Sequence, residues 1–126
     1  MGGLGKSILV VDDEPSIRLL CRINLELDGY AVLEAGTLGE ARELLERNEV
    51  DAILLDVHVG GERGYDLLRE LRDAENAVPV ALLTGSETQE RVEAALADAV
   101  LRKPFTLEDL HGTVRALAHD VDACNR

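Results

Sequence analysis

The stretch ILVVDDEP, residues 8–15, runs four aliphatic residues straight into Asp12, Asp13 and Glu14. Three carboxylates at the end of an apolar run repel one another, and each loses hydration beside a buried strand. Four more short aliphatic runs follow along the chain: YAVL at 30–33, AILL at 52–55, VALL at 80–83 and AVL at 99–101. All are nearly continuous rather than alternating, the pattern of strands covered on both faces. The first run therefore predicts a buried strand whose acids sit at its open end.

Stretches with helical period lie between these runs. Ile17, Leu20, Cys21 and Leu25 mark one face of a helix that starts after Pro15, a residue well placed in a first turn, and stops at Gly29. A second helix is predicted over about 38–48, with Leu38, Ala41, Leu44 and Leu45 inward, and a third over about 65–74, with Leu67, Leu68 and Leu71 inward. A fourth, about 87–96, carries Val92, Ala95 and Leu96, and a fifth, about 107–119, carries Leu107, Leu110, Val114 and Leu117 behind Thr106 as N-cap. A strand–helix unit repeated five times predicts an α/β fold. Its core is a (βα)5 doubly wound parallel five-stranded sheet with helices on both faces, three layers in all. No linker, repeat or low-complexity tract interrupts the pattern, so residues 1–126 are expected to form one domain, with 1–6 and 120–126 as tails.

Composition narrows the function. The core must be aliphatic, because the chain has two Tyr, one Phe and no Trp. Acidic residues outnumber basic ones 25 to 13, giving a formal charge of −12, which argues against direct nucleic-acid binding. No apolar run is long enough for a membrane span and no signal-peptide layout precedes the acids, so a cytoplasmic location is expected. Cys21 and Cys124 lack metal-ligand spacing; Cys21 is expected as a buried free thiol and Cys124 as exposed. The segment GGLGKS at 2–7 ends like a phosphate-binding loop, but a strand follows it where that loop needs a helix.

In such a sheet, functional groups gather at the carboxyl ends of the strands. That rim collects Asp12 and Asp13, then Asp56, then Thr84-Gly85-Ser86, then Arg102-Lys103-Pro104. Asp12, Asp13 and Asp56 carry three negative charges and Lys103 one positive, so a divalent cation would neutralise the set. Hard oxygen ligands with room for water suit Mg²⁺. Capping of a helix N-terminus would account for one acid. It does not account for two adjacent acids, a third from another strand and a lysine.

With these residues in order, the chain resembles the response-regulator receiver domains, the CheY-like family of two-component signalling, whose fold is flavodoxin-like. The resemblance rests on LVVDDEPSIR (9–18), GYAVLEA (29–35), DAILLDVHVGGERGYDLL (51–68), VPVALLTG (78–85) and LRKPF (101–105). It implies that Asp56 accepts a phosphoryl group from a phosphohistidine on a sensor histidine kinase or a histidine-phosphotransfer protein. It implies Mg²⁺ held by Asp12, Asp13, Asp56 and the backbone carbonyl of His58, with Asp12 acting largely through water. Thr84 and Lys103 would engage phosphoryl oxygens, the Lys103–Pro104 peptide would be cis, and a downstream protein or effector domain would read the switch. Transferring phosphoryl groups need cations and donors on their equatorial oxygens, which is what this residue set offers.

The departures from the family pattern are specific. Val59-Gly60 stands where Met-Pro is frequent, so the loop loses a stiff residue and is expected to be looser. Val100 stands where relatives place an aromatic that swings inward, and the spacing from Thr84 to Lys103 is short by about three residues, close to one helical turn. These changes keep a second function open, a binding module that retains the pocket and signals without phosphorylation. A metabolic phosphatase with an aspartate nucleophile needs an acid two residues after it, and His58 is there instead. The His58 side chain is expected to be a solvent-exposed loop residue, and His111 and His119 surface residues.

Overall fold

A computed structural model of the chain describes residues 5–85 and 96–124. Its strands in chain order are β1 (Ser7–Val11), β2 (Ala31–Ala35), β3 (Ala52–Asp56), β4 (His58–Val59), β5 (Glu62–Arg63), β6 (Val80–Thr84) and β7 (Ala99–Arg102). Helices α1 (Pro15–Leu27), α2 (Leu38–Arg47), α3 (Gly64–Asp73) and α4 (Leu107–Cys124) are interspersed. Five strands form one parallel sheet in the order β2-β1-β3-β6-β7, as expected, while β4 and β5 form a separate antiparallel pair. The helix expected at about 87–96 falls almost wholly on 86–95, outside the described residues.

The period of two along each strand divides the core. Leu9, Val11, Ile53, Leu55 and Leu82 point to one face, where they pack with Leu38, Ala41, Leu67 and Leu68 of α2 and α3. Ile8, Val10, Leu54, Ala81 and Leu83 point to the other, against Cys21 and Leu25 of α1 and Leu110 and Val114 of α4. All residues of β3 and β6 are buried, which is why their sequences read as unbroken aliphatic runs. Cys21 is fully buried and free, and burial, followed by the nearby Asp12 carboxylate, pushes its thiol up to about 12.

Several boundaries differ from the expectation. Tyr30 was expected in the second strand, but its N–H donates to Leu25 O and that of Gly29 to Glu26 O, closing α1 in a Schellman motif, so β2 begins at Ala31. Leu20 was expected to face inward and is instead exposed; the buried stripe of α1 is the narrower one through Cys21 and Leu25. The tail expected at 120–126 is helical through Cys124, because residues 113–124 contain no Gly or Pro to stop α4. The side chains of His119 and Cys124 lie outside the described part. Thr106 caps α4 as expected, accepting from the N–H of Asp109 at 3.0 Å.

The order β2-β1-β3 reverses the winding direction between β1 and β3, which opens a crevice at their carboxyl ends. The residues of the rim converge there.

Candidate functional site

Asp12 follows the last residue of β1 and is completely buried. Its N–H donates to Ala35 O at 3.1 Å and its carbonyl accepts from Arg18 Nη1 at 2.7 Å, so its peptide is held from β2 and from α1. Its Oδ1 accepts the N–H of Glu14 at 2.9 Å, which turns the chain into α1 and leaves Oδ2 facing the crevice. Asp13, one step further, is exposed, and its Oδ2 accepts the N–H of Gly60 at 3.1 Å.

Asp56 ends β3, nearly buried, with its Oδ1 accepting the N–H of His58 at 3.1 Å. Thr84 ends β6, is buried, and its carbonyl accepts the N–H of Lys103 at 2.7 Å. Lys103 lies one residue past β7, and its Lys103–Pro104 peptide is cis. The ammonium reaches across the sheet to donate to Asp12 Oδ2 at 2.7 Å and Asp56 Oδ2 at 3.1 Å, with Glu14 Oε1 at 3.5 Å. Parallel pairing thus brings side chains from β1, β3 and β7, far apart in sequence, into one ion-pair network.

The electrostatics follow from one lysine serving two carboxylates. Burial alone would lower the Lys103 pKa, but its hydrogen bonds to Asp12 and Asp56 override that and hold it above the ordinary lysine range. Asp56 shifts upward: burial is the largest cause and the Asp12 charge adds to it, against the lowering by the His58 N–H and Lys103. The lysine makes its shorter bond to Asp12, which leaves Asp56 short of countercharge. The crevice therefore favours additional positive charge.

The donor set fits a hard cation. Asp12, Asp13 and Asp56 each offer a carboxylate oxygen, and these oxygens lie within 4.8 Å of one another. The His58 side chain is exposed, and the β3–α3 loop is folded as a hairpin. His58 pairs with Arg63 and Val59 with Glu62, so Gly60 and Gly61 form a two-residue hairpin turn at φ of +58° and +85°. Loss of the stiff proline is offset by a hydrogen-bonded hairpin whose Val59 is buried. Gly64 then enters α3 against β3; a Cβ there would lie 2.0 Å from the Asp56 carbonyl oxygen.

The sequence expectations brought Asp12, Asp13, Asp56, Thr84 and Lys103 to one rim, and the structure places them there. Missed were the Arg18 contact to the Asp12 carbonyl and the Gly60 N–H on Asp13. Arg18 had a signal, a cation one turn past Glu14 set between Ile17 and Leu19.

An acid triad and a lysine meet at the switch point of a parallel five-stranded sheet, the arrangement of a CheY-like receiver fold. The chain belongs to the response regulator receiver domain family, whose family model matches residues 8–115. It is 40% identical over 113 residues to the response regulator MprA of Mycobacterium sp. (strain KMS), a match covering 87% of this chain and 49% of that protein. The MprA of Mycobacterium leprae is 39% identical over the same length. The chain therefore spans about half the length of these curated relatives.

Among solved structures, the receiver domain protein (CheY-like) of Methanospirillum hungatei superposes with a TM-score of 0.87 at 28% identity, covering 94% of this chain and 97% of that one. The response regulator TrrA of Thermotoga maritima, solved in complex with Mg²⁺-BeF, gives 0.82 at 31% identity, covering 89% and 98%. Like its relatives, the chain is a receiver domain of two-component signalling, a signalling module rather than a metabolic enzyme. Among the described residues, no helix is long and apolar enough to cross a membrane.

Proposed function

We propose that this receiver domain, comprising residues 1–126, takes a phosphoryl group onto Asp56 from a phosphohistidine of a sensor kinase or histidine-phosphotransfer protein in a Mg²⁺-dependent reaction. The carboxylate oxygen of Asp56 forms the new bond to phosphorus as the bond to the histidine nitrogen breaks, and that nitrogen keeps the electron pair. Asp12, Asp13 and Asp56, with the His58 carbonyl, would hold the ion, Asp12 largely through water. What the metal supplies when bound is positive charge on the phosphoryl oxygens. Lys103, already between Asp12 and Asp56, turns to a phosphoryl oxygen once Asp56 carries the group as an acyl phosphate and the negative charge has moved to the phosphoryl oxygens. Thr84, at the neighbouring strand end, donates its hydroxyl to another.

The observation that carries this reading is the Lys103 ammonium held 3.1 Å from Asp56 within an acid triad. The MprA and TrrA resemblances support it. We further propose that the domain works in the cytoplasm, as a phosphoprotein, and passes its state to a downstream protein or effector domain.

One observation favours the binding-module reading. Val100, in place of a swinging ring, is half exposed on the edge strand β7. Its short β-branched side chain has no comparable movement to make.

Intact-mass analysis with acetyl phosphate, with and without Mg²⁺, separates the two. A Mg²⁺-dependent phosphate adduct that is absent from Asp56→Asn is the expected result. An unmodified wild-type protein under every condition would transfer the weight to phosphorylation-independent binding.

A further inference from the structure

We propose that the backbone amide of Gly60 is a positioning donor for the cation site: it holds the exposed carboxylate of Asp13 over the crevice and thereby ties the β4–β5 hairpin to metal occupancy. The inference rests on Asp13 being a ligand.

Asp13 is the one member of the triad that is exposed, so packing does not set its rotamer. Asp12 is fixed by burial and by Lys103, and Asp56 by burial, Lys103 and the His58 N–H. The Asp13 carboxylate accepts the Gly60 N–H, at 3.1 Å to Oδ2. That bond leaves Oδ1 and the remaining lone pairs of Oδ2 available to a cation. It therefore orients the ligand without consuming it.

The hairpin is built to aim this donor. Its two-residue turn places Gly60 at φ +58°, and Val59 anchors the turn in the core. The same short hairpin donates from His58 to Asp56 and from Gly60 to Asp13, so two of the three acids hang on one backbone segment. A proline at position 60 has no N–H and could make no such bond. The glycine that replaces it in this chain is thus a gain of a donor.

Mg²⁺ affinity by calorimetry on wild type, Gly60→Asn, Gly60→Pro and Gly61→Pro tests the assignment, with melting curves in chelator to follow folding separately. Asn keeps the N–H, suits a positive φ in a hairpin turn, and meets no heavy atom within 4 Å at Cβ. Gly60→Asn should bind Mg²⁺ within about twofold of wild type. Gly60→Pro should bind about tenfold more weakly, the worth of a hydrogen bond to a charged group. Gly61→Pro, which disturbs the same turn but retains the Gly60 amide, should lose less.

Equal losses in the two proline variants would show that hairpin shape, not the amide, governs binding, and would overturn the inference. So would unchanged affinity in Gly60→Pro. If wild type itself takes up no Mg²⁺, the metal-site reading fails and the inference falls with it. Amide exchange is the check independent of the proline variants: metal-free, Gly60 should exchange faster in Asp13→Ala than in wild type. Equal exchange rates would sink the contact.

Discussion

At the scale of single residues, charge is most crowded at Asp56. Its carboxyl is shifted upward by burial and by Asp12 in spite of Lys103, so the folded protein binds this proton more tightly than the unfolded chain does. The sign follows from linkage. Ionised Asp56 destabilises the fold above its folded pKa, and the penalty is relieved as pH falls through that value toward the ordinary 3.8. In chelator at neutral pH, Asp56→Asn should therefore be more stable than wild type by urea unfolding, with the gap closing in acid. A gap that widens in acid would mean that Lys103 fully compensates the charge. Gly64 carries a different constraint, since a Cβ there would lie 2.0 Å from the Asp56 carbonyl oxygen, a backbone atom. Gly64→Ala must push β3 and α3 apart and should lower stability by about 1–3 kcal/mol, as overpacking does. It should slow Asp56 phosphorylation as well, measured by the rate of adduct formation. Asp12, Asp56 and Lys103 were legible because their chemistry is in the side chain. The Gly60 amide was not, because a backbone donor has no letter of its own, and the missing proline read only as lost stiffness.

Elements were legible where burial dictates pattern. β3 and β6 are buried at every position and read as strands from their aliphatic runs alone. The ends of elements depend on caps, and these were legible only in part. Thr106 announced itself as the N-cap of α4, whereas Thr37 was passed over although it makes the same bond for α2, accepting from the Glu40 N–H at 3.0 Å. Glu40 in turn accepts the N–H of Gly36 at 2.7 Å, so both sides of the α2 start are bonded. Thr37→Ala should lower stability by about 1 kcal/mol, the usual worth of such a cap. The Mg²⁺ response should be unchanged, since α2 contributes none of the acids. A loss of metal binding in this variant would show that the β2–α2 junction supports the site. The hairpin β4–β5 was invisible for a related reason: two residues per strand leave too short a pattern to register, and Gly-Gly reads equally well as a loop.

The molecule as a whole combines a strongly acidic chain with an acid triad drawn from two neighbouring strand ends. General charge repulsion is relieved by any salt, whereas the triad responds to a cation that fits it, and the two effects separate experimentally. A ligand that binds only the folded state stabilises it by about 2.7 kcal/mol at a hundredfold excess over its dissociation constant. For a chain of this size each kcal/mol moves the melting temperature by about 4 °C. Mg²⁺ at that excess, with ionic strength held constant by NaCl, should therefore raise Tm by about 10 °C. Asp13→Ala should lose most of the rise. Lys103→Ala should keep it, because removing the ammonium deletes a competing cation and leaves every carboxylate in place. Lys103→Ala should instead fail at the later step, so that adding a phosphoryl mimic such as beryllofluoride to its Mg²⁺ form gives no further protection from hydrogen exchange at the ends of β6 and β7. A Tm that tracks ionic strength alone would reduce the triad to surface charge. A Lys103→Ala protein that still responds fully to the mimic would assign the coupling to Thr84 rather than to the lysine.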